Sequence, residues 1–237
     1  MDTKRATWMI GVVAVAALAG CTETTSSENI KTGGIFAGIE VTATSESAST
    51  VKATLKVGGD ESNTYVILDK GDEMVASAGG DSKSMSAQSS GIYEAEFGTG
   101  ADGTEFKVEL KRPNDIPAPD SRGTLPAPFK VGTLEDNKSR KADDLAVTWD
   151  PSGTDDSMHV EVEGSCIFLY NKDIPGDSGS FTIKAGELDS TGGNMPETCD
   201  LNVTLTRSRN GTADSAYDNE SWFHLKQIRK GKVTSAP

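Results

Sequence analysis

Val51-Lys52-Ala53-Thr54-Leu55-Lys56-Val57 alternates apolar and polar residues without a break. Successive side chains of an extended chain point to opposite faces, so Val51, Ala53, Leu55 and Val57 form one apolar row and the lysines line the other side. The same period of two appears upstream in Ile35, Ala37, Ile39 and Val41. Downstream come the short apolar run Tyr65 to Leu68, then Tyr93, Ala95 and Phe97 between glutamates, then Phe106, Val108 and Leu110 between charges. Gly58-Gly59-Asp60, Lys70-Gly71-Asp72, Gly79-Gly80-Asp81 and Gly98-Thr99-Gly100 separate them as turn clusters. The alternation resumes with Leu145, Val147 and Trp149, with Met158, Val160 and Val162, with Phe181 and Ile183, with Leu201, Val203 and Leu205, and with Phe223 and Leu225. No segment keeps a helical period over three turns. Short strands at this spacing predict an all-β protein made of antiparallel sandwiches.

The 237 residues suffice for two domains at the usual ~100 to 200 residues each. With 35% hydrophobic residues, small cores can close. A formal net charge of -13 excludes a sequence-independent grip on nucleic acid, which needs a surplus of Lys and Arg. The segment 113–128 holds Pro113, Pro117, Pro119, Pro126 and Pro128 and lacks too many backbone donors for a central strand. It is expected to be a semi-rigid linker that sets two sandwiches, 35–112 and 129–237, end to end and insulates each from the other. Residues 135–144 are expected to be a solvated loop.

A strand carrying Trp149 early in the second unit resembles the immunoglobulin-like sandwich of fibronectin type III domains. The resemblance covers ~110 residues and implies a tandem of two immunoglobulin-like domains. Gly164-Ser165-Cys166-Ile167, Pro175-Gly176-Asp177-Ser178-Gly179-Ser180, Leu205-Thr206-Arg207 and the closing Thr234-Ser235-Ala236-Pro237 are similar to phrases of two-domain bacterial lipoproteins.

Met1 to Gly20 combines Lys4 and Arg5 with an apolar run from Trp8 to Leu18, the form of a secretory signal and too short for a spanning helix. It ends in Leu18-Ala19-Gly20-Cys21, which resembles a bacterial lipobox. That resemblance implies cleavage between Gly20 and Cys21, a diacylglycerol on the Cys21 thiol, a further acyl chain such as palmitate on its amino group, and, with Thr22 next, an outer-membrane address. Such an anchor would be effectively permanent. Cleavage removes Asp2, Lys4 and Arg5 and leaves a charge of -14 from the -13 of the whole chain. Residues 21–34 are rich in Thr, Ser and Glu and are expected to form a flexible tether.

Cys166 and Cys199 remain once Cys21 is lipidated, and in an exported chain they are expected to pair as a disulfide. They lack the Cys-x-x-Cys spacing of a redox pair, and without neighbouring His they offer too few ligands for a metal. Gly176-Asp177-Ser178-Gly179 matches the surroundings of a serine protease nucleophile, but His159 and His224 both fall on outward positions of strands, so the segment is expected to be a turn. Asp143-Asp144 and Asp155-Asp156 lack the spaced acidic loop of a calcium site. The sequons at Asn137, Asn202, Asn210 and Asn219 indicate surface exposure and, in a bacterium, nothing more.

No catalytic residue, cofactor or metal is therefore expected. The lipobox resemblance implies an envelope lipoprotein, and its sandwich domains are expected to be non-catalytic and to bind a protein or glycan through their loops. The connection 210–221, holding Tyr217 and leading to Trp222, is the expected partner-binding loop, aromatics being common anchors. A lipid-anchored hydrolase using carboxylates and a purely structural envelope role are the alternatives.

Overall fold

The computed structural model describes residues 22–192 and 198–237. The leader 1–20 and Cys21 lie outside the described residues. The described chain forms β1 Glu23–Ser26, β2 Ile35–Ser45, β3 Ala48–Val57, β4 Thr64–Ile67, β5 Glu73–Ala78, β6 Asp81–Ser84, β7 Ser86–Ser89, β8 Ile92–Phe97, β9 Glu105–Lys111, β10 Ala118–Thr124, β11 Lys130–Val131, β12 Lys138–Ser139, β13 Leu145–Asp150, β14 Ser157–Gly164, β15 Tyr170–Ile174, β16 Ser180–Ile183, β17 Cys199–Asn210 and β18 Trp222–Ala236. No helix is long and apolar enough to cross a membrane among the described residues.

The protein is all-β, with two hydrophobic cores. Every alternating row of the sequence from Ile35 to Leu110 turns its apolar side into the first core, and the rows around Trp149, Val160 and Val203 fill the second. The first core lies between β2, β3 and β8 on one side and a four-stranded sheet ordered β10-β9-β5-β6 on the other. The second lies between β14, β17 and β18 and a three-stranded sheet ordered β11-β13-β16.

One sheet belongs to both cores. Its main path runs β1-β4-β3-β2-β18-β17-β14-β15, and it counts eleven strands with β7, β8 and β12. The hairpin of β17 and β18 pairs Cys199 with Ser235 at one end and Asn210 with His224 at the other. The early part of β18 pairs in parallel with β2, Trp222 opposite Gly38 and Gln227 opposite Ala43. Phe223 and Leu225 therefore belong to the first core, whereas Val233 of the same strand belongs to the second. Between them the inner face of the hairpin turns polar: Arg207 and Gln227 are wholly buried, with Arg229 beside them.

Four expectations are corrected here. The segment 113–128 is not a linker, because β10 pairs with β9 from Ala118 opposite Leu110 to Thr124 opposite Glu105, and Ala118 and Leu125 enter the first core. Its prolines are tolerated because β10 is the outer strand of its sheet, where missing donors cost least. The segment 21–34 is not a free tether in its described part. β1 pairs in parallel with β4, and Arg112 donates to the carbonyls of Ser27 and Ile30 and to Thr32 Oγ1 at 2.6, 2.9 and 3.0 Å. These hydrogen bonds, together with Ile30 packed against the first core, order it. Arg112 is held in turn by Asp72 at 2.9 Å and Asp115 at 3.2 Å. Finally, the sandwiches are not insulated end-to-end units, since β17 and β18 run from one into the other. The 135–144 segment is also more than a loop: β12 pairs with the end of β18 and Arg140 is buried.

Candidate functional site

The far end of the second sandwich is a cross-linked tip. Cys166 follows β14 and is bonded to Cys199 at the start of β17, with Cα atoms 5.9 Å apart across 33 residues of chain. Ile167 bridges Ser190, Phe168 N–H donates to the Asp189 carbonyl at 2.9 Å, and Thr191 N–H donates to the Cys166 carbonyl at 3.2 Å. Gly164 allows this closure, because a Cβ there would stand 2.5 Å from Leu201 Cδ2 and 2.9 Å from the Asp200 carbonyl. The turn so fixed presents Phe168 and Leu169 to solvent at 60% and 59% exposure. Two large apolar neighbours exposed on one turn make it the candidate contact surface, whereas Ile67 and Ile116 are exposed singly. The expected disulfide is thus present. No sequence signal singled out Phe168 and Leu169, since two apolar neighbours beside a buried Cys166-Ile167 look like strand interior.

The tip lies at the pole opposite the N-terminal end. Glu23 is opposite Thr64, Tyr65 opposite Lys56, Lys56 opposite Phe36 and Gly38 opposite Trp222, so Thr22 sits beyond the start of β18. Ser235, near the other end of β18, is opposite the disulfide-bonded Cys199. At ~3.4 Å per residue, the length of β18 separates the two poles by about 50 Å.

The residues expected to form a partner-binding loop are placed otherwise. Tyr217 is in the first core, its hydroxyl 3.7 Å from Met74 Sδ and its ionisation pushed up by burial. It cannot anchor a partner. Trp222 covers the outer face of β2, where the absence of a side chain at Gly38 admits it: a Cβ there would stand 2.8 Å from the indole. One face of the indole stacks on His224 at 4.4 Å, Phe36 meets it edge-on at 6.4 Å, and its Nε1 donates to Asp60 at 3.3 Å. The ring is engaged on all these sides. His224 is half-buried, and burial and the neighbouring Lys226 hold its pKa below the ordinary value.

Gly176-Asp177-Ser178-Gly179 forms a turn with both glycines at positive φ, 70° and 83°. Ser178 donates to the Ser180 carbonyl at 2.9 Å, and His159 instead meets Asp173 at 2.8 Å. The chemistry of the motif sits in Asp177, which accepts from Trp149 Nε1 at 2.5 Å, from Thr154 Oγ1 at 2.7 Å and pairs with Arg207 at 2.9 Å. Burial alone would raise this carboxyl, but those donors and Arg207 hold it below the usual range. Of the acidic pairs, Asp156 binds Arg209 through both oxygens at 2.7 and 3.0 Å and Asp144 pairs with Lys184 at 2.9 Å. Among the described residues no three His, Cys, Asp or Glu side chains converge as metal ligands.

No family model matches the chain, and no curated relative does. Among solved structures it is similar to a BSP domain of a biofilm associated protein, at 13% identity and TM-score 0.25 over 86% of this chain and 30% of that one. It is also similar to a segment of two fibronectin type III domains from chicken tenascin, at 13% identity and TM-score 0.24 over 82% and 99%. Fibronectin(III)-like modules of Clostridium thermocellum CbhA give 14% identity and TM-score 0.26 over 85% and 90%. The all-β assignment rests on the strand pairing itself.

Proposed function

We propose that this chain is a non-catalytic, lipid-anchored lipoprotein of the bacterial outer membrane, held through Cys21 and offering the Phe168–Leu169 tip to a protein or glycan partner. The carrying observation is the exposed apolar pair, locked by a disulfide, at the pole farthest from Thr22. The buried junction supports a rigid strut between anchor and tip: Gln227 donates to the carbonyls of Gly100 and Pro126 at 2.7 and 3.1 Å, and Arg207 to those of Ala127 and Pro151 at 2.7 and 2.6 Å. Two sandwiches tied in this way hold a binding surface at a set distance from a membrane.

Cell fractionation tests the anchor. Cys21→Ser removes the thiol that would carry lipid, and the net negative charge of the mature chain disfavours attraction to an anionic membrane surface. The variant is expected in the soluble envelope fraction. Sedimentation with membranes after a high-salt wash would defeat the anchor reading.

A further inference from the structure

The strand that leaves the tip ends a sheet. β15 pairs with β14 on one side, Met158 opposite Ile174 through Val162 opposite Tyr170, and among the described residues its other side has no strand partner. Phe168 and Leu169 immediately precede it. An open edge offers main-chain donors and acceptors at the spacing of a strand, and proteins normally blunt such an edge or use it to add a peptide strand. Here the blunting is incomplete. Lys172 is drawn aside to Glu187 at 3.3 Å and lies 5.7 Å from the Phe181 ring, and no proline interrupts Tyr170–Ile174.

We propose that the β15 edge, with Phe168 and Leu169 at its start, docks an extended basic segment of a protein partner, which adds as a further strand. The proposal rests on the tip reading above and chooses protein over glycan. The unpaired main-chain row beside the pair is complementary to another main chain, which a glycan does not possess. The basic character follows from the exposed carboxylates of Glu163, Asp189 and Asp200 around the tip, while Lys172 and Lys184 are already paired with Glu187 and Asp144. A second copy fits poorly. Pairing two β15 edges would bring the same acidic tip to both sides of the ladder, and like charges facing one another destabilise it.

Random dodecapeptides displayed on phage are selected on the mature chain carrying Cys21→Ser. Enriched peptides are expected to alternate apolar residues with Lys or Arg, to bind more weakly as salt rises, and to lose roughly tenfold in affinity on the double variant Phe168→Asp/Leu169→Asp. Both side chains are mostly exposed, so this variant retains the fold. The decisive probe is a synthetic copy of one enriched peptide with alternate backbone nitrogens methylated. Methylation along one edge should reduce binding by roughly tenfold or more, and along the other edge hardly at all, because a strand uses only one edge in the ladder. Equal tolerance of both methylated forms overturns strand addition yet leaves the tip as a contact surface, provided the double variant still fails to bind. Failure to enrich any peptide that depends on Phe168 and Leu169 also overturns the proposal. So does a concentration-dependent dimer, or a glycan-array ligand, that is lost in the same variant. Cys21→Ser fractionation reports on the anchor alone, so the two failures remain distinguishable.

Discussion

Arg207 and Gln227 stand opposite one another across the β17–β18 pair at the level where the two cores meet, and solvent reaches neither. Buried polar side chains stand here between the last residues of the two cores. Arg207 lies over the Phe129 ring at 4.9 Å, and Arg229 approaches the same ring at 5.7 Å. Asp177 supplies the anion for Arg207.

Replacing Arg207 by Met is expected to cost about 3 to 5 kcal/mol, since it strands Asp177 in a dry site. The double variant Arg207→Met/Asp177→Asn should lose less than the two single changes added together. Urea unfolding of the four proteins measures the difference. Strict additivity would remove the ion pair from its place at the junction.

Acid should loosen the same junction. Asp177 has its folded-state pKa depressed by its donors and Arg207, against an ordinary carboxyl value of ~3.9 in the unfolded chain. A depressed group contributes stability above the unfolded pKa, and that contribution fades as pH falls through the folded pKa. Unfolding free energy is therefore expected to drop below about pH 4, less steeply in Asp177→Asn. Asp115, Asp144 and Glu187, also lowered by their hydrogen bonds, keep part of the slope in that variant. Identical acid limbs for both proteins would contradict the assignment.

Removing the Cys166–Cys199 bond frees a loop of 33 residues and should cost ~4 kcal/mol on the chain-entropy model. The loss cannot stay within the second sandwich, because β17 begins at Cys199 and is paired along its length with β18. Calorimetry of Cys166→Ser/Cys199→Ser is expected to give one transition at lower temperature. Two separated transitions would show that the shared sheet does not couple the cores.

Arg112→Met should release the segment that its guanidinium fastens. Ser27 and Thr32 are buried under those hydrogen bonds, while the Lys31 side chain is 87% exposed beside them. Trypsin is expected to cut after Lys31 faster in the variant than in the wild type, as local opening precedes cleavage. Unchanged cleavage would mean that β1 alone, paired with β4, holds the segment.

The alternating rows made the strands and most of both cores legible. Val51 to Val57 and Leu201 to Leu205 needed only the period of two, because their faces separate apolar from charged residues. β10 was illegible for the opposite reason: Ala118-Pro119-Asp120-Ser121-Arg122-Gly123-Thr124 has little apolar content and owes its place to pairing with β9 and to the neighbouring Leu125. The segment after Thr22 was hidden likewise, since its order depends on Arg112, some eighty residues away. Tyr217 was misjudged because a Gly-, Asp- and Ser-rich connection suggested exposure, yet its hydroxyl found Met74 in the first core. The disulfide was legible from the cysteine count and the expectation of export. The tip was not, for exposure of Phe168 and Leu169 is a property of the closed turn and leaves no periodic trace.

Phe223 and Leu225, which complete the first core, are more than a hundred residues downstream of Leu110, in the last strand of the chain. Many multidomain proteins fold their N-terminal unit while the ribosome is still making the rest. Here that order is closed off: until β18 emerges, β2 has no neighbour on one side and the first core lacks two of its large side chains. The first sandwich therefore cannot close on its own residues, since its sheet and its core both wait for a strand that the second sandwich shares.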